Sequence, residues 1–326
     1  MSGIENGLLR NIKSMQVITN INAFPEKFRG GVISLGKFDG MHLGHSLIIK
    51  RLKHHAKQRQ LPAIILTFNP LPVTILRPDL NIQPICTPEW KIELIRRFNI
   101  DALVVLQTNH ELLQQSAETF FFKTIKEKLN AAVIVEGNNF CFGHDRLGTA
   151  ELIRQYGRHT GIDIDIVESV RFNNHPVSSS GIRQLIQEGK IEQAAEWMPQ
   201  PYRLIGTVIQ GDQRGRTLGF PTANLGNIET ILPKPGLYVT AATFDGKTFG
   251  STTHIGTNPT FHQAIPKIEV FVHDFNGDLY GKRMDIDFFV MLREIIRFDS
   301  AEELIRQMNL DIRQSRKFLS QYLGLS

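Results

Sequence analysis

Hydrophobic positions recur in two rhythms along the chain, and the change falls near its middle. Between residues 31 and 190 short apolar runs alternate with helical patterns. GVISLG (31–36), AIILTF (63–68), ALVVL (102–106) and AVIVE (132–136) read as strands, and IDIDIVE (162–168) closes the series. His45 to Gln60 reads as a helix with Ile48, Leu52 and Ala56 on one stripe. A second helix starts at Thr87 with Pro88 at its first position, and Ser116 to Leu129 is also helical. Near-continuously apolar strands alternating with helices predict an α/β domain. Its parallel sheet is covered on both faces and binds ligands beyond the carboxyl ends of the strands.

After about residue 200 short strands lie between turn signals: Tyr202 to Ile209, Gly236 to Phe244, Thr248 to Ile255, Ile268 to Phe275 and Arg283 to Met291. Asp245-Gly246 and Asn276-Gly277 read as hairpin turns. This spacing predicts an antiparallel barrel. A terminal helix follows from Ser300 to about Leu323, with Leu304, Met308, Ile312 and Phe318 as its apolar positions. Glu196 to Tyr202 (EWMPQPY) carries two prolines and is expected to be a linker. The expected organisation is an N-terminal segment 1–30 without a readable motif, a first domain 31–195, the linker 196–202 and a second domain 203–326. There is no internal repeat and no low-complexity stretch.

Composition adds limits. Of 326 residues 41% are apolar and 21% charged, which is ordinary globular material and excludes a mainly disordered chain. No apolar run approaches the ~18–20 residues of a membrane helix, and MSGIENGLLRNIK lacks a secretory pattern. Cys86 and Cys141 are the two cysteines, too few for a disulfide framework or a four-ligand zinc site. A cytoplasmic protein with no membrane partner is expected. The net charge of +5 is mild and suits anionic small ligands. The densest basic run, Lys50 to Arg59, is broken by His54 and His55 and reads as the solvated face of a helix.

Two strings carry candidate chemistry. GKFDGMHLGH (36–45) lies where the first strand ends. Gly36, Gly40 and Gly44 allow tight turns and close backbone approach, and His42 and His45 sit at the start of the next helix, where free N–H groups attract phosphate. A metal site is a poorer reading, because no carboxylate or cysteine accompanies the pair at ligand spacing; a histidine pair without a role is the other alternative. GDQRGRTLGFPTANL (211–225) is glycine-rich but lacks the Gly-Lys-Ser/Thr ending of a Walker loop. Gly211, Arg214, Gly215, Arg216 and Gly219 make a candidate phosphate cradle. Thr222 and Asn224 offer two oxygens for a hard cation such as Mg²⁺. The alternative is a basic hairpin loop. DFNGDLYG (274–281) mimics an EF-hand start, but Leu279 stands at the sixth position and Asp285 at the twelfth, so a hairpin is expected and calcium is not.

The first string resembles the HxGH nucleotidyltransferases, and in its longer form, G-x-F-D-G-x-H-x-G-H, the bacterial bifunctional riboflavin kinase/FMN adenylyltransferases, also called FAD synthetases. TFNPLP (67–72) resembles the family's T-F-x-P-H-P with Leu71 in place of histidine, GNNFCFG (137–143) its G-x-N-F-x-F-G, and SSSGIRQLI (178–186) its S-S-T-x-I-R. Gly215 to Asn224 matches the riboflavin kinase signature G-R-x-L-G-F-P-T-A-N. LPKPGLYVT (232–240), HIGTNPTF (254–261), KIEVFVHDFNGDLYG (267–281) and LREIIRF (292–298) continue the likeness, with Ile295 replacing the usual glutamate.

The resemblance implies a Rossmann-like nucleotidyltransferase domain and a riboflavin-kinase barrel with a terminal helix. The second would phosphorylate riboflavin with ATP and Mg²⁺, and the first would join FMN to the AMP part of ATP, giving FAD and pyrophosphate. It places Glu269 as the kinase base, and His42, His45 and Arg183 as the adenylylation residues. Gly36, Phe38, Asp39, Gly40, Gly44, Asn139, Ser179 and Ser180 would join the ATP site, Asp39 either ordering the loop or helping to place the metal. Thr67, Pro70, Asn258 and Arg293 would face flavin. The expected partners are riboflavin, FMN and ATP, with no nucleic acid, in a monomer or weak homo-oligomer. Leu71 favours one alternative, a kinase whose first domain only binds flavin or nucleotide. A nucleic-acid-binding protein is the other, from a pI near 9.2 and the kinship of HxGH folds with aminoacyl-tRNA synthetases, but no aromatic-basic RNA motif supports it.

Overall fold

The computed structural model describes residues 14–211, 219–257 and 266–324. The chain forms two compact units: one comprises residues up to Ile82 together with Pro88–Ser178, the other Gln83–Thr87 together with the chain from Ser179 onward.

The first unit runs β1 (Gln16–Ile18), β2 (Val32–Leu35), α1 (Leu43–Arg59), β3 (Ala63–Asn69), α2 (Pro72–Leu76), α3 (Pro88–Arg96), β4 (Ala102–Gln107), α4 (His110–Leu113), α5 (Ala117–Thr119), β5 (Val133–Gly137), β6 (Cys141–Phe142), β7 (Gly148–Thr149), α6 (Ala150–Thr160), β8 (Asp163–Val167), β9 (Arg171–Phe172) and β10 (His175–Pro176). Six strands form one parallel sheet in the order β1-β4-β3-β2-β5-β8. The apolar runs become strands because both faces are covered: all four residues of β2 are buried. From β2 the chain builds towards β3 and β4 on one side and β5 and β8 on the other. That reversal beside β2 is a topological switch point, where α/β sheets bind ligands. The stretch 116–129 is helical as expected, but beyond α5 it winds with π-type turns over Phe120–Lys128, burying Phe120, Phe121 and Ile125 in the core. The N-terminal segment is not idle: β1 adds an edge strand to β4. Three residues are too few to show a period.

The second unit contains α7 (Ser179–Gln187), α8 (Ile191–Trp197), β11 (Tyr202–Ile209), β12 (Ala223–Gly226), β13 (Gly236–Phe244), β14 (Lys247–Thr257), β15 (Pro266–Val272), β16 (Arg283–Arg293) and α9 (Ala301–Leu323). Its strands close a barrel in the order β11-β12-β15-β14-β13-β16. Closure leaves no unpaired edge. Asp245-Gly246 does join a hairpin, between β13 and β14, with both residues at positive φ (49° and 72°). Asn276-Gly277 does not, which corrects the hairpin expected there. β15 pairs with β12 and β14, and β16 with β11 and β13, so residues 273–282 cross from one place in the barrel to another.

The segment 196–202 is built into the second core rather than spanning open space. Met198 and Tyr202 are 5% and 1% exposed and pack with Ile191, Ala194 and barrel residues, with Trp197 against them. The Tyr202 hydroxyl donates to the Ile231 carbonyl and lies 3.1 Å from Thr230 Oγ1, whose own hydroxyl can donate to it. Ile182 and Ile186 of α7 belong to the same core. The two compact units meet in sequence at Ser178–Ser179. The terminal helix starts at Ser300, whose hydroxyl accepts the Glu303 N–H at 3.2 Å. Its deepest positions are Asp311, Ser315 and Leu319, while Leu304, Met308, Ile312 and Phe318 are half-buried. Two polar residues sit deepest because each has a partner: Arg293 for Asp311, and the Ser251 carbonyl, 3.3 Å away, for the Ser315 hydroxyl.

Met198→Ala should therefore destabilise the second unit by about 2–4 kcal/mol in chemical denaturation, the cost of truncating a core side chain. A change under ~0.5 kcal/mol would be the surface value and would return the segment to a linker.

Candidate active sites

In the first unit the loop between β2 and α1 turns through three left-handed residues in four, Phe38 (φ 46°), Gly40 (φ 79°) and Met41 (φ 44°). Only glycine enters that region freely, so the two side chains are held there by packing: Phe38 is 1% exposed and Met41 fully buried. Asp39 between them is also buried, at 1%. The loop delivers His42 as N-cap of α1, where its Nδ1 accepts the His45 N–H at 3.3 Å. An Nδ1 that accepts leaves the ring proton on Nε2. Gly44 leaves room for this cap: a Cβ there would stand 3.0 Å from the His42 ring. The two imidazoles stack, with ring centroids 3.6 Å apart.

Burial lowers the His42 pKa from 6.5 to about 4, its own backbone hydrogen bond opposing. Burial pushes His45 well down too, reinforced by His42 and by the charges of Lys91 and Lys37. Both rings are neutral at physiological pH. His45 Nδ1 and Ser46 Oγ are buried without a hydrogen-bond partner among the described residues.

Around this loop the other expected residues of the first unit take separate positions. The Gly36 N–H donates to Leu66 O at 3.0 Å, and the Thr67 hydroxyl to Lys37 O at 3.2 Å, tying β3 to the loop. Pro70 follows a cis peptide bond, and its carbonyl accepts from Thr108 Oγ1 at 2.6 Å. Leu71, at the family's histidine position, is 5% exposed and begins α2. Asn139 is exposed just beyond β5, with its Oδ1 folded back over Gly137. Two buried ionisable residues escaped the sequence reading. Glu136 is 2% exposed at the end of β5, and accepts from the Leu35 N–H and from Ser34 Oγ at 3.4 Å. Burial raises its pKa well above the usual carboxylate range. Lys91 is 6% exposed on the inner face of α3, beside Trp90, Leu94 and Ile95. A lysine on an apolar stripe was the available signal.

Ser179, Ser180 and Arg183 open α7 and belong to the second unit. Arg183 Nε donates to Gln83 O at 3.0 Å within that unit. On the barrel, register sets Asn224 of β12 opposite Glu269 of β15, and Glu269 opposite His254 of β14. Directly paired residues share a face, so the three form one row across adjacent strands. His254 Nδ1 lies 3.5 Å from Glu269 Oε2, and Lys267 Nζ 4.0 Å from Oε1. Asn224 is 8% exposed, and its Oδ1 is buried without a hydrogen-bond partner among the described residues. A Cβ on Gly211 would come within 2.2 Å of the Asn224 amide, so only glycine fits beside it. Thr222 precedes β12, half-buried, and Gly219 turns at φ 86°. Arg214, Gly215, Arg216 and Asn258 lie outside the described residues. Arg293 does not stand open: its guanidinium forms a two-armed ion pair with Asp311 (Nη2–Oδ2 2.7 Å, Nε–Oδ1 3.1 Å), and Gln307 donates to the same carboxylate at 2.9 Å. An aspartate inside an amphipathic helix pattern gave no sequence sign of this pairing.

A parallel sheet with a phosphate-ready helix start at its switch point defines a nucleotide-handling α/β unit, here carried with a closed barrel. The family model described as FAD synthetase matches residues 24–181, and that of riboflavin kinase matches 198–319. The chain is 32% identical to the bifunctional riboflavin kinase/FMN adenylyltransferase of Bacillus subtilis over 95% of its length and 99% of the relative's. It is 34% identical to that of Listeria monocytogenes, covering 89% of this chain and 92% of the relative. The chain belongs to the bifunctional riboflavin kinase/FMN adenylyltransferase family. A solved structure titled a macrolide-efflux protein from Streptococcus pneumoniae matches with TM-score 0.84 and 30% identity over 93% of this chain and 98% of that one. Among the described residues no helix is long and apolar enough to cross a membrane.

The buried rings make a prediction about acid. Burial, with Arg316 adding to it and Asp274 opposing, also lowers His273 from 6.5 to about 4. A ring that stays neutral when folded but binds a proton when unfolded leaves stability intact above pH 6.5 and removes it as pH falls towards 4. For His273 the loss is about 3 kcal/mol. His273→Asn should therefore show a smaller drop in barrel stability than the parent between pH 7.5 and 4.5, measured by chemical denaturation. An equal drop in both would show that this ring does not set the acid response.

Proposed function

We propose that the two units make FAD from riboflavin in two ATP-dependent steps, with the residue roles that follow. The chain carries a riboflavin kinase domain and an FMN adenylyltransferase domain, and the comparisons favour this over a kinase with a non-catalytic first domain. The observation that carries the adenylylation roles is the neutral His42 cap at the start of α1, with its Nε2–H left to donate. A phosphate oxygen of FMN attacks the α-phosphorus of ATP, the bond to the bridging oxygen breaks, and pyrophosphate leaves. The nucleophile is already anionic, so no base is needed. Catalysis is alignment and charge stabilisation by His42, His45 and the first N–H groups of α1. Asn139 adds a donor to the nucleotide.

In the barrel, Glu269 takes the proton of the ribityl 5′-hydroxyl as its oxygen bonds the γ-phosphorus and ADP departs. The exposed edge of the Glu269 carboxylate and the row it shares with Asn224 and His254 support that role. The donor set suits Mg²⁺: Asn224 Oδ1 is a buried oxygen without a partner among the described residues, and Thr222 adds a hydroxyl, both hard ligands of the kind Mg²⁺ takes beside water and phosphate. When bound, the ion would offset phosphate charge. The glycine-rich loop that begins at Gly211 would cover the phosphates. The Arg293–Asp311 pair ties the end of β16 to α9, so Arg293 holds the flavin-side wall rather than meeting phosphate as a free cation. We place the enzyme in the cytoplasm, as a monomer or weak homo-oligomer. Two unbonded cysteines suit that compartment.

Glu269→Gln should lower kinase turnover by ~10²–10⁴-fold and spare FAD formation from supplied FMN, both followed by chromatography of the flavins. Equal loss of both activities would refute separate sites. His42→Ala combined with His45→Ala should abolish FAD formation and spare FMN formation; an undiminished FAD yield would remove the pair from the chemistry.

A further inference from the structure

Lys91 is a buried cation that neither the sequence motifs nor the roles above employ. It projects from the inner face of α3 and is 6% exposed. Among the described residues its ammonium makes one hydrogen bond, a long one of 3.5 Å, to the Phe68 carbonyl at the carboxyl end of β3. Among the described residues no carboxylate lies within ion-pair distance of it. Burying an ammonium group with so little compensation is costly unless an anion completes its surroundings. Its location says which anion. Phe68 follows Thr67, whose hydroxyl is bonded to the loop at Lys37 O, so the ammonium lies at the ligand-binding end of the sheet. Its charge reaches the His45 ring, which is itself short of a partner at Nδ1. The neutral histidines donate hydrogen bonds but bring no charge, and pyrophosphate is the most highly charged group of the adenylylation reaction.

We propose that Lys91 is a phosphate-binding residue of the adenylyltransferase site, which receives the β- and γ-phosphates of ATP and holds them as they leave as pyrophosphate. This rests on the assignment of adenylylation to the His42–His45 loop. A lysine that only props the end of β3 would serve any ligand equally. One that binds pyrophosphate acts on that product and on ATP alone.

The test uses the full chain and runs adenylylation backwards, FAD plus pyrophosphate giving FMN plus ATP, a reaction the kinase half does not perform. Lys91→Gln removes the charge but keeps an N–H donor for the Phe68 carbonyl. It should raise KM for pyrophosphate, and for ATP in the forward direction, by about 10- to 100-fold, the worth of one charge-assisted hydrogen bond. KM for FAD and riboflavin kinase turnover should stay within threefold of the parent, and Lys91→Arg should recover most of the pyrophosphate affinity. Parallel increases in KM for FAD, FMN and pyrophosphate, unrescued by arginine, would make Lys91 a structural prop and overturn the proposal. Unchanged KM for pyrophosphate would overturn it as well. If Lys91→Gln lowers the melting temperature of the first unit below assay range, Lys91→Arg carries the test, and a pyrophosphate KM more than tenfold worse with FAD KM also lost refutes the role. The His42/His45 double variant separates the two ideas: FAD formation persisting there removes the site itself, whereas its loss alongside an unaltered pyrophosphate KM in Lys91→Gln removes Lys91 alone.

Discussion

The His45 N–H held by His42 Nδ1 is the contact on which the first site is built. It caps α1, selects the Nε2–H tautomer and brings the two rings into a stack. The contact exists only because the preceding backbone takes a course that most residues resist. Two non-glycine residues at positive φ cost of order 1–3 kcal/mol each. Burying Phe38 and Met41 returns about 1.5–3 kcal/mol each, so core packing roughly offsets the strain. Loop shape and hydrophobic core are thus one feature: a polar residue at Phe38 or Met41 would lose the cap, the tautomer and the stack together.

The barrel reaches its own precision by a different route. Asn224, Glu269 and His254 have no contact in sequence, yet strand register sets them side by side. Closure fixes that register on both sides, because β15 cannot slip against β12 without slipping against β14. The ion pair of Arg203 with Asp287 (2.6 Å) and Asp285 (3.3 Å) ties β11 to β16 and sits at another of these seams. At the same time the interior carries hydroxyls, with Thr240 Oγ1 2.8 Å from both Ser251 Oγ and Thr253 Oγ1. These polar groups satisfy one another, so the core accepts them without a buried unpaired atom.

The longer strands and both fold classes were legible in the sequence because apolar runs and Asp-Gly turns act locally, whereas short strands such as β1 and β12 carry too few residues to show a period. The string GKFDGMHLGH likewise announced its own helix start. What stayed hidden depended on distant partners. Asn276-Gly277 has the chemistry of a hairpin, but barrel closure had already given β15 and β16 other neighbours. EWMPQPY has the prolines of a linker, yet Trp197, Met198 and Tyr202 find a core supplied by residues far along the chain. Arg293 was readable as a basic residue in a family motif. That its charge is taken up by Asp311 depends on where α9 docks. Glu136 is the sharpest case, since burial alone distinguishes it from the other glutamates.

The two units also divide the chemistry in a way their charges explain. Phosphorylating a hydroxyl releases a proton, so a proposed base in the kinase half must reach solvent, and Glu269 is only half-buried. Adenylylating a phosphate releases none, so the other half has no use for a base near neutrality. It can bury both imidazoles until they stay neutral near pH 7, the His42 pKa falling to about 4. Two cationic rings stacked 3.6 Å apart would repel each other, so neutrality is also what permits the stack. In the proposed reaction neutral donors stabilise the developing charge by fixed geometry, and positive charge is left to lysine and arginine. The burial that makes the first unit stable is thus the same burial that fits its histidines to a reaction needing donors and no base.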